Sequence, residues 1–101
     1  MDELRGWIVE REHGLSWCYD QEKGPAMNEY LKNKDFANQQ DVCVILQSED
    51  QKKQTTLAAR VINYHNGLDL CYLITKTNPQ KALAEAQFQD GELFTARVER
   101  A

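Results

Sequence analysis

Thr55-Thr56-Leu57-Ala58-Ala59-Arg60-Val61-Ile62-Asn63-Tyr64-His65-Asn66-Gly67-Leu68-Asp69-Leu70-Cys71-Tyr72-Leu73-Ile74-Thr75 is the stretch on which the fold turns. Two runs rich in branched and aromatic residues flank Asn66-Gly67, the dipeptide that suits a tight turn with positive φ at both central positions. The reading is a β-hairpin, residues 55–64 against 68–75. With His65 opposite Leu68, Asn63 meets Leu70, Val61 meets Tyr72 and Ala59 meets Ile74, giving one mainly apolar face. Arg60, Ile62, Tyr64, Asp69, Cys71 and Leu73 then form the opposite, mixed face.

A hairpin alone is marginal in water and needs further strands or a helix against it. Upstream, Val42-Cys43-Val44-Ile45-Leu46 is a continuous apolar run too short for an independent helix, and it reads as a central strand covered on both faces. Ser48 to Gln54 reads as a polar connection with no packing demand. Nearer the start, residues 7–12 and 15–19 form a second hairpin around His13-Gly14. That turn would set Glu12 opposite Leu15, Glu10 opposite Trp17 and Ile8 opposite Tyr19, leaving Trp7, Val9 and Arg11 with Cys18 on the other face. Gly24-Pro25 starts a helix, with the proline at its first position and Met27, Tyr30, Leu31 and Lys34 as one stripe, ending near residue 35. Asn78 caps a second helix, opened by Pro79, running about three turns and stopped by Asp90-Gly91. Residues 93–98 close the chain as a last strand. The order ββαβββαβ predicts an α+β fold, an antiparallel, strongly curved sheet of about six strands with two helices packed on it, in a single domain over residues 1–101.

Composition narrows the function by exclusion. The longest apolar run is far short of the ~20 residues of a membrane-spanning helix, and the acidic start, Met1-Asp2-Glu3-Leu4-Arg5, lacks the basic and apolar regions of a secretory signal. The expected location is the cytoplasm. Cys18, Cys43 and Cys71 are an odd, widely spaced set without metal-ligand spacing, and read as small buried thiols. His13 and His65 each lie beside a tight turn, outside any metal-binding pattern. Ser16 and Ser48 lack the glycine context of an exposed nucleophile, and the five glycines are scattered singly instead of forming a phosphate-cradling loop. Glu10 and Glu12 share a strand face but point to water without a cleft. No enzyme and no cofactor are expected.

Charge is unevenly placed. Residues 1–22 carry six acids (Asp2, Glu3, Glu10, Glu12, Asp20, Glu22) and two bases, whereas residues 23–101 carry ten of each, so the whole net charge of −4 lies in the first fifth of the chain. Trp7, Trp17 and Tyr19 fall in the same segment, and large aromatics beside charges are the composition of binding hot spots, though the same rings also suit the core of so small a domain. The candidate partner-binding residues are Trp7, Glu10, Glu12, Trp17, Tyr19, Asp20 and Glu22.

Between Arg5 and Val98 the layout resembles the HIRAN domain. The matching pieces are Arg5-Gly6-Trp7-Ile8-Val9, Asp41 to Leu46, Ala59-Arg60-Val61 leading through Asn66-Gly67 to Cys71-Tyr72-Leu73, Ala82-Leu83-Ala84, and Ala96-Arg97-Val98 after Gly91. The resemblance implies a small β-rich module that binds DNA ends. The chain departs from it where that binding would lie, since Ser48 to Gln54 contains neither proline nor asparagine and Cys71 replaces the glycine before the tyrosine.

Three functions follow as expectations. The first is a non-enzymatic protein that inhibits or escorts a macromolecular partner, of the toxin-immunity or phage and mobile-element anti-defence kind, through an acidic aromatic surface suited to a basic nucleic-acid-binding protein. The second is a nucleic-acid module of HIRAN-like or oligonucleotide-barrel type using Arg60, Tyr64, Lys52 and Lys53, which the acidic balance disfavours. The third is a binder of, or enzyme for, a small ligand held between helix and sheet. A homodimer through an exposed strand edge is compatible with each, and a membrane with none.

Overall fold

The computed structural model describes residues 3–101. The elements run β1 (Leu4–Arg11), β2 (Gly14–Tyr19), α1 (Met27–Asn33), β3 (Asp41–Ser48), β4 (Gln54–His65), β5 (Asp69–Thr75), α2 (Pro79–Glu85) and β6 (Leu93–Arg100). All pairings are antiparallel, in the order β2-β1-β6-β3-β4-β5, so the sheet is strongly curled, a half-barrel with β2 and β5 as its two free edges. The expected α+β class and ββαβββαβ order are those of the structure.

Period-two alternation decides which residues go inside. Leu4 and Ile8 of β1, Val42, Val44 and Leu46 of β3, Leu57, Ala59 and Val61 of β4, and Phe94, Ala96 and Val98 of β6 are buried on the concave side. Removing such side chains from water is worth roughly 1.5–3 kcal/mol each for the larger ones, which is what holds so small a domain together. The helices fill the concavity with Tyr30 and Leu31 of α1 and Ala82 and Leu83 of α2, and Phe36 and Phe88 follow the two helices into the same core. The outer face has no helix over it. The expectation that β3 is covered on both faces is therefore corrected: Cys43 and Ile45 alternate outward and are only half-buried.

Both hairpins differ from their expected registers. Around the first turn Arg11 pairs with Gly14, Glu10 with Leu15 and Ile8 with Trp17, so the turn is Glu12-His13 and Gly14, at φ +120, opens β2. This is a two-residue slip, and because side chains alternate with period two it leaves every residue on its expected face. Around the second turn His65 pairs with Asp69, Val61 with Leu73 and Ile62 with Tyr72, across the three-residue loop Asn66-Gly67-Leu68. This is a one-residue slip, and it exchanges the faces of β5. Cys71 and Leu73 turn inward with Val61, while Leu70, Tyr72 and Ile74 join Tyr64 outside.

The helices are also shorter than expected. Pro25 lies before α1, and Ala26, still extended at ψ 146, is the residue that precedes its first turn. Left-handed residues end each helical region early, Asp35 (φ 55) after α1 and Gln87 (φ 66) after α2, where the sequence offered no glycine as a signal. The 48–54 connection does carry a packing demand. Ser48 is buried, its hydroxyl donates to Asp50 Oδ1 at 2.6 Å and accepts from Lys53 N at 3.0 Å, and this fixes the turn into β4.

Candidate functional site: a mixed-charge dish and an open slit

The seven candidate residues of the N-terminal hairpin separate in space by face and by end. Trp17 and Tyr19 turn inward, where their rings lie 5.9 Å apart and meet Phe94 at 6.4 and 6.1 Å. Glu10 and Glu12 are exposed at the turn end. Asp20 and Glu22 follow the other end of β2, roughly 20 Å away at the rise of a six-residue strand. There Asp20 Oδ1 accepts from Glu22 N at 3.0 Å and Lys23 N at 3.2 Å, closing a turn of its own. Of the three candidate aromatics Trp7 alone stands on the outer face, 38% exposed.

What stands beside Trp7 comes from the far end of the chain. Strand β6 pairs with β1 so that Leu93 is directly opposite Trp7, and Leu93 is 47% exposed. The two form the floor of a shallow dish of about 100 Å³ whose rim includes Asp20 and Glu49, with Arg5 and Lys23 also in its wall. Asp50 and Glu92 continue the acidic side of the rim past Leu93. Glu92 is engaged, its Oε1 accepting from Lys53 Nζ at 3.0 Å. The Ser48 hydroxyl, and then the Lys52 N–H, hold the Asp50 carboxyl below the usual carboxylate range, so it is anionic at neutral pH. Glu49 has no side-chain partner among the described residues. Sequence reasoning reached Trp7 and Asp20 but missed Glu49, Asp50, Glu92 and Leu93. The β1–β6 pairing brings Leu93 to Trp7, and the β3–β6 pairing, with Glu49 N donating to Leu93 O, brings Glu49 and Asp50 there; neither leaves a local signal.

No family model matches the chain, and no curated protein or solved structure does either. The HIRAN resemblance gains nothing from these comparisons. Among the described residues no three His, Cys, Asp or Glu side chains converge as metal ligands, and no helix is long and apolar enough to cross a membrane.

Two further features lie at the β5 side. On the outer face Tyr64, Leu70, Tyr72 and Ile74 are all exposed, with Arg60 and Lys76 nearby. Both cations are turned to Asp41, at 3.2 and 3.3 Å, and Arg60 first, then Lys76, holds the Asp41 carboxyl below its usual range. Between the free edges a mainly apolar slit of about 330 Å³ is lined by Trp17 and Tyr19 of β2, Leu73 and Thr75 of β5, and the first residues of the helices, Met27 and Pro79. The Tyr19 hydroxyl is buried with no hydrogen-bond partner, and burial pushes its pKa up.

Proposed function

We propose that the chain is a non-enzymatic binding domain that inhibits or escorts a protein partner, holding a basic segment of that partner on the dish of Trp7 and Leu93. The observation that carries this reading is the exposed Trp7–Leu93 cross-strand pair with Asp20 and the unengaged Glu49 at its rim. An arginine or lysine stem lies well along an apolar pair, its charged end reaching water or a carboxylate. A cation over an indole face adds about 0.5–2 kcal/mol. Arg5 and Lys23 in the wall offset Asp20 and Glu49, so the acidic preference of the site comes from Glu49 together with Asp50 past Leu93. The acidic excess of the N-terminal segment would speed encounter with a basic partner and make its rate salt-dependent.

The test is capture from the native cell with the unaltered protein and with Trp7→Ala and Glu49→Lys as parallel baits, followed by binding measurements on what the unaltered bait retains. Glu49 is exposed and Trp7 more than a third exposed, and circular dichroism of both variants checks that the fold is kept. Each should weaken binding at least tenfold, and equal retention by all three baits would remove the reading.

A second reading, a single-stranded nucleic-acid platform, is favoured by Tyr64 and Tyr72 sharing the outer face near Arg60 and Lys76. Bases stack on such rings. The pairing of both cations with Asp41 leaves little positive field for phosphates, which ranks it second. Titration of labelled single-stranded DNA at low salt decides it, absence of binding excluding the platform.

A further inference from the structure

Helix α2 packs against β2 and helix α1 against β5, but the sequence guards against strand addition are few on either edge. An exposed edge is normally blunted by lysine, proline, an inward charge or a bulge. Strand β2 has no charged residue, and β5 has only its first, Asp69.

The direction of the free backbone groups follows from the ladder. In an antiparallel pair, successive residues alternate between bonding the neighbour and pointing away from it. Asp20 N donates to Arg5 O, so on β2 the groups of Ser16 and Cys18 serve β1, and those of Trp17 and Tyr19 face outward. Lys76 N donates to Ala58 O, so on β5 the groups of Tyr72 and Ile74 serve β4, and those of Cys71, Leu73 and Thr75 face outward. Of the strand residues that line the slit, Trp17, Tyr19, Leu73 and Thr75 have their main-chain groups turned to it, while Ser16 and Tyr72, bonded to β1 and β4, contribute side-chain wall only. Both walls therefore present unpaired main-chain donors and acceptors alongside apolar side chains.

One stretch of the β5 edge already has a substitute for a strand. The Asn28 side chain of α1 accepts from Cys71 N and donates to Asp69 O at 3.4 Å, the two bonds a neighbouring backbone would make. Beyond it, Leu73 and Thr75 have no such cover.

We propose that the slit between β2 and β5 receives an extended segment of a partner protein, which adds to β5 at Leu73 and Thr75 as a seventh strand. The occupant is a single strand and not a second copy of this chain, because β2 stands across the slit and would meet the sheet that a second β5 brings with it. It is apolar on both faces. Side chains turned inward meet Trp17 and Met27, and those turned outward extend the row of Tyr72 and Ile74. Main-chain bonds supply affinity and the alternate side-chain positions supply selectivity, as in other strand additions. The inference is independent of the dish, which lies on the outer face over β1 and β6.

The test uses a phage-displayed library of random nine-residue peptides panned on the full chain. Thr75→Pro is the control, because the Thr75 N–H faces away from β4 and its loss removes no bond of the fold. Enriched peptides should share a proline-free run of branched apolar residues, bind Thr75→Pro at least tenfold more weakly, and bind Trp7→Ala unchanged. Hydrogen exchange at the Leu73 and Thr75 amides should slow in the complex, which reads the pairing directly even if the variant were to fold poorly. No enrichment, no protection of those two amides, or dependence on Trp7 instead of Thr75 would overturn the proposal. So would sedimentation showing a dimer of the free chain that Thr75→Pro dissociates, since a second copy would then hold the edge.

Discussion

Gly6 lies where β1 passes between β2 and β6, and its missing side chain is what lets the three come together. A Cβ built there would run into the Cys18 carbonyl and stand 2.7 Å from Phe94 Cζ. The aromatic ring can adjust at some expense, but the carbonyl belongs to the strand itself. Gly6→Ala should therefore cost roughly 1–3 kcal/mol, the usual penalty for overpacking, at the upper end of that range. Urea unfolding of the two proteins measures it, and a loss below about 0.5 kcal/mol would mean that β2 moves freely away from β1. Two inward tyrosines show how context decides what a hydroxyl contributes. Tyr30 accepts from the buried Val98 N at 2.9 Å, whereas the Tyr19 hydroxyl is buried without a partner. The first satisfies a strand donor that would otherwise be left alone, and the second is itself left alone.

The helices show at element scale how a cap sets a boundary. In α2, Asn78 Oδ1 accepts from Gln80 N at 3.0 Å and Lys81 N at 3.4 Å, satisfying donors that have no partner within the helix. Asn78→Ala should reduce stability by about 1 kcal/mol, measured by thermal or urea unfolding, while α1, which Ala26 precedes with no side-chain cap, provides no equivalent handle. This cap was legible in the sequence, because Asn78-Pro79 is a local signal. So was the inside and outside of β6, where alternation is regular, but not that of β3, whose continuous apolar run hides the outward, half-buried Cys43 and Ile45. The register of β5 was not: Asn66-Gly67 fits a two-residue turn, but adding Leu68 to the loop turns Leu73 inward and leaves Tyr72 and Ile74 outside. Local turn chemistry favours one answer and burial of Cys71 and Leu73 against the core selects the other. Half of the candidate site was legible for the same reason. Trp7 and Asp20 belong to a segment whose composition stands out, whereas Leu93 becomes a neighbour of Trp7 only through the β1–β6 pairing and Glu49 only through the β3–β6 pairing beyond it.

For the whole molecule, the open side of the half-barrel carries an unmet hydrogen-bonding demand that can be read in a titration. Burial disfavours the charged form of Tyr19, so its folded-state pKa lies above the ordinary tyrosine value of about 10. The unfolded chain then loses this proton first as pH rises. Below about pH 9 both states keep the proton and Tyr19 adds no pH dependence; above about pH 10 the unfolded state gains by ionising and the protein loses stability, by up to about 1.4 kcal/mol per pH unit for one group. The Cys71 thiol, also pushed up by burial, contributes in the same direction, so the total slope does not isolate the tyrosine. Tyr19→Phe does, because it removes the phenol and keeps Cys71 and the ring contacts with Trp17 and Phe94. Below pH 9 the variant should be at least as stable as the unaltered protein, because the hydroxyl it lacks had no partner. Above pH 10 the two urea-unfolding curves should separate further, with the unaltered protein falling faster. Parallel curves from pH 8 to 11 would mean that the hydroxyl reaches water in the free chain, and that the slit is already wide enough there to solvate its own wall.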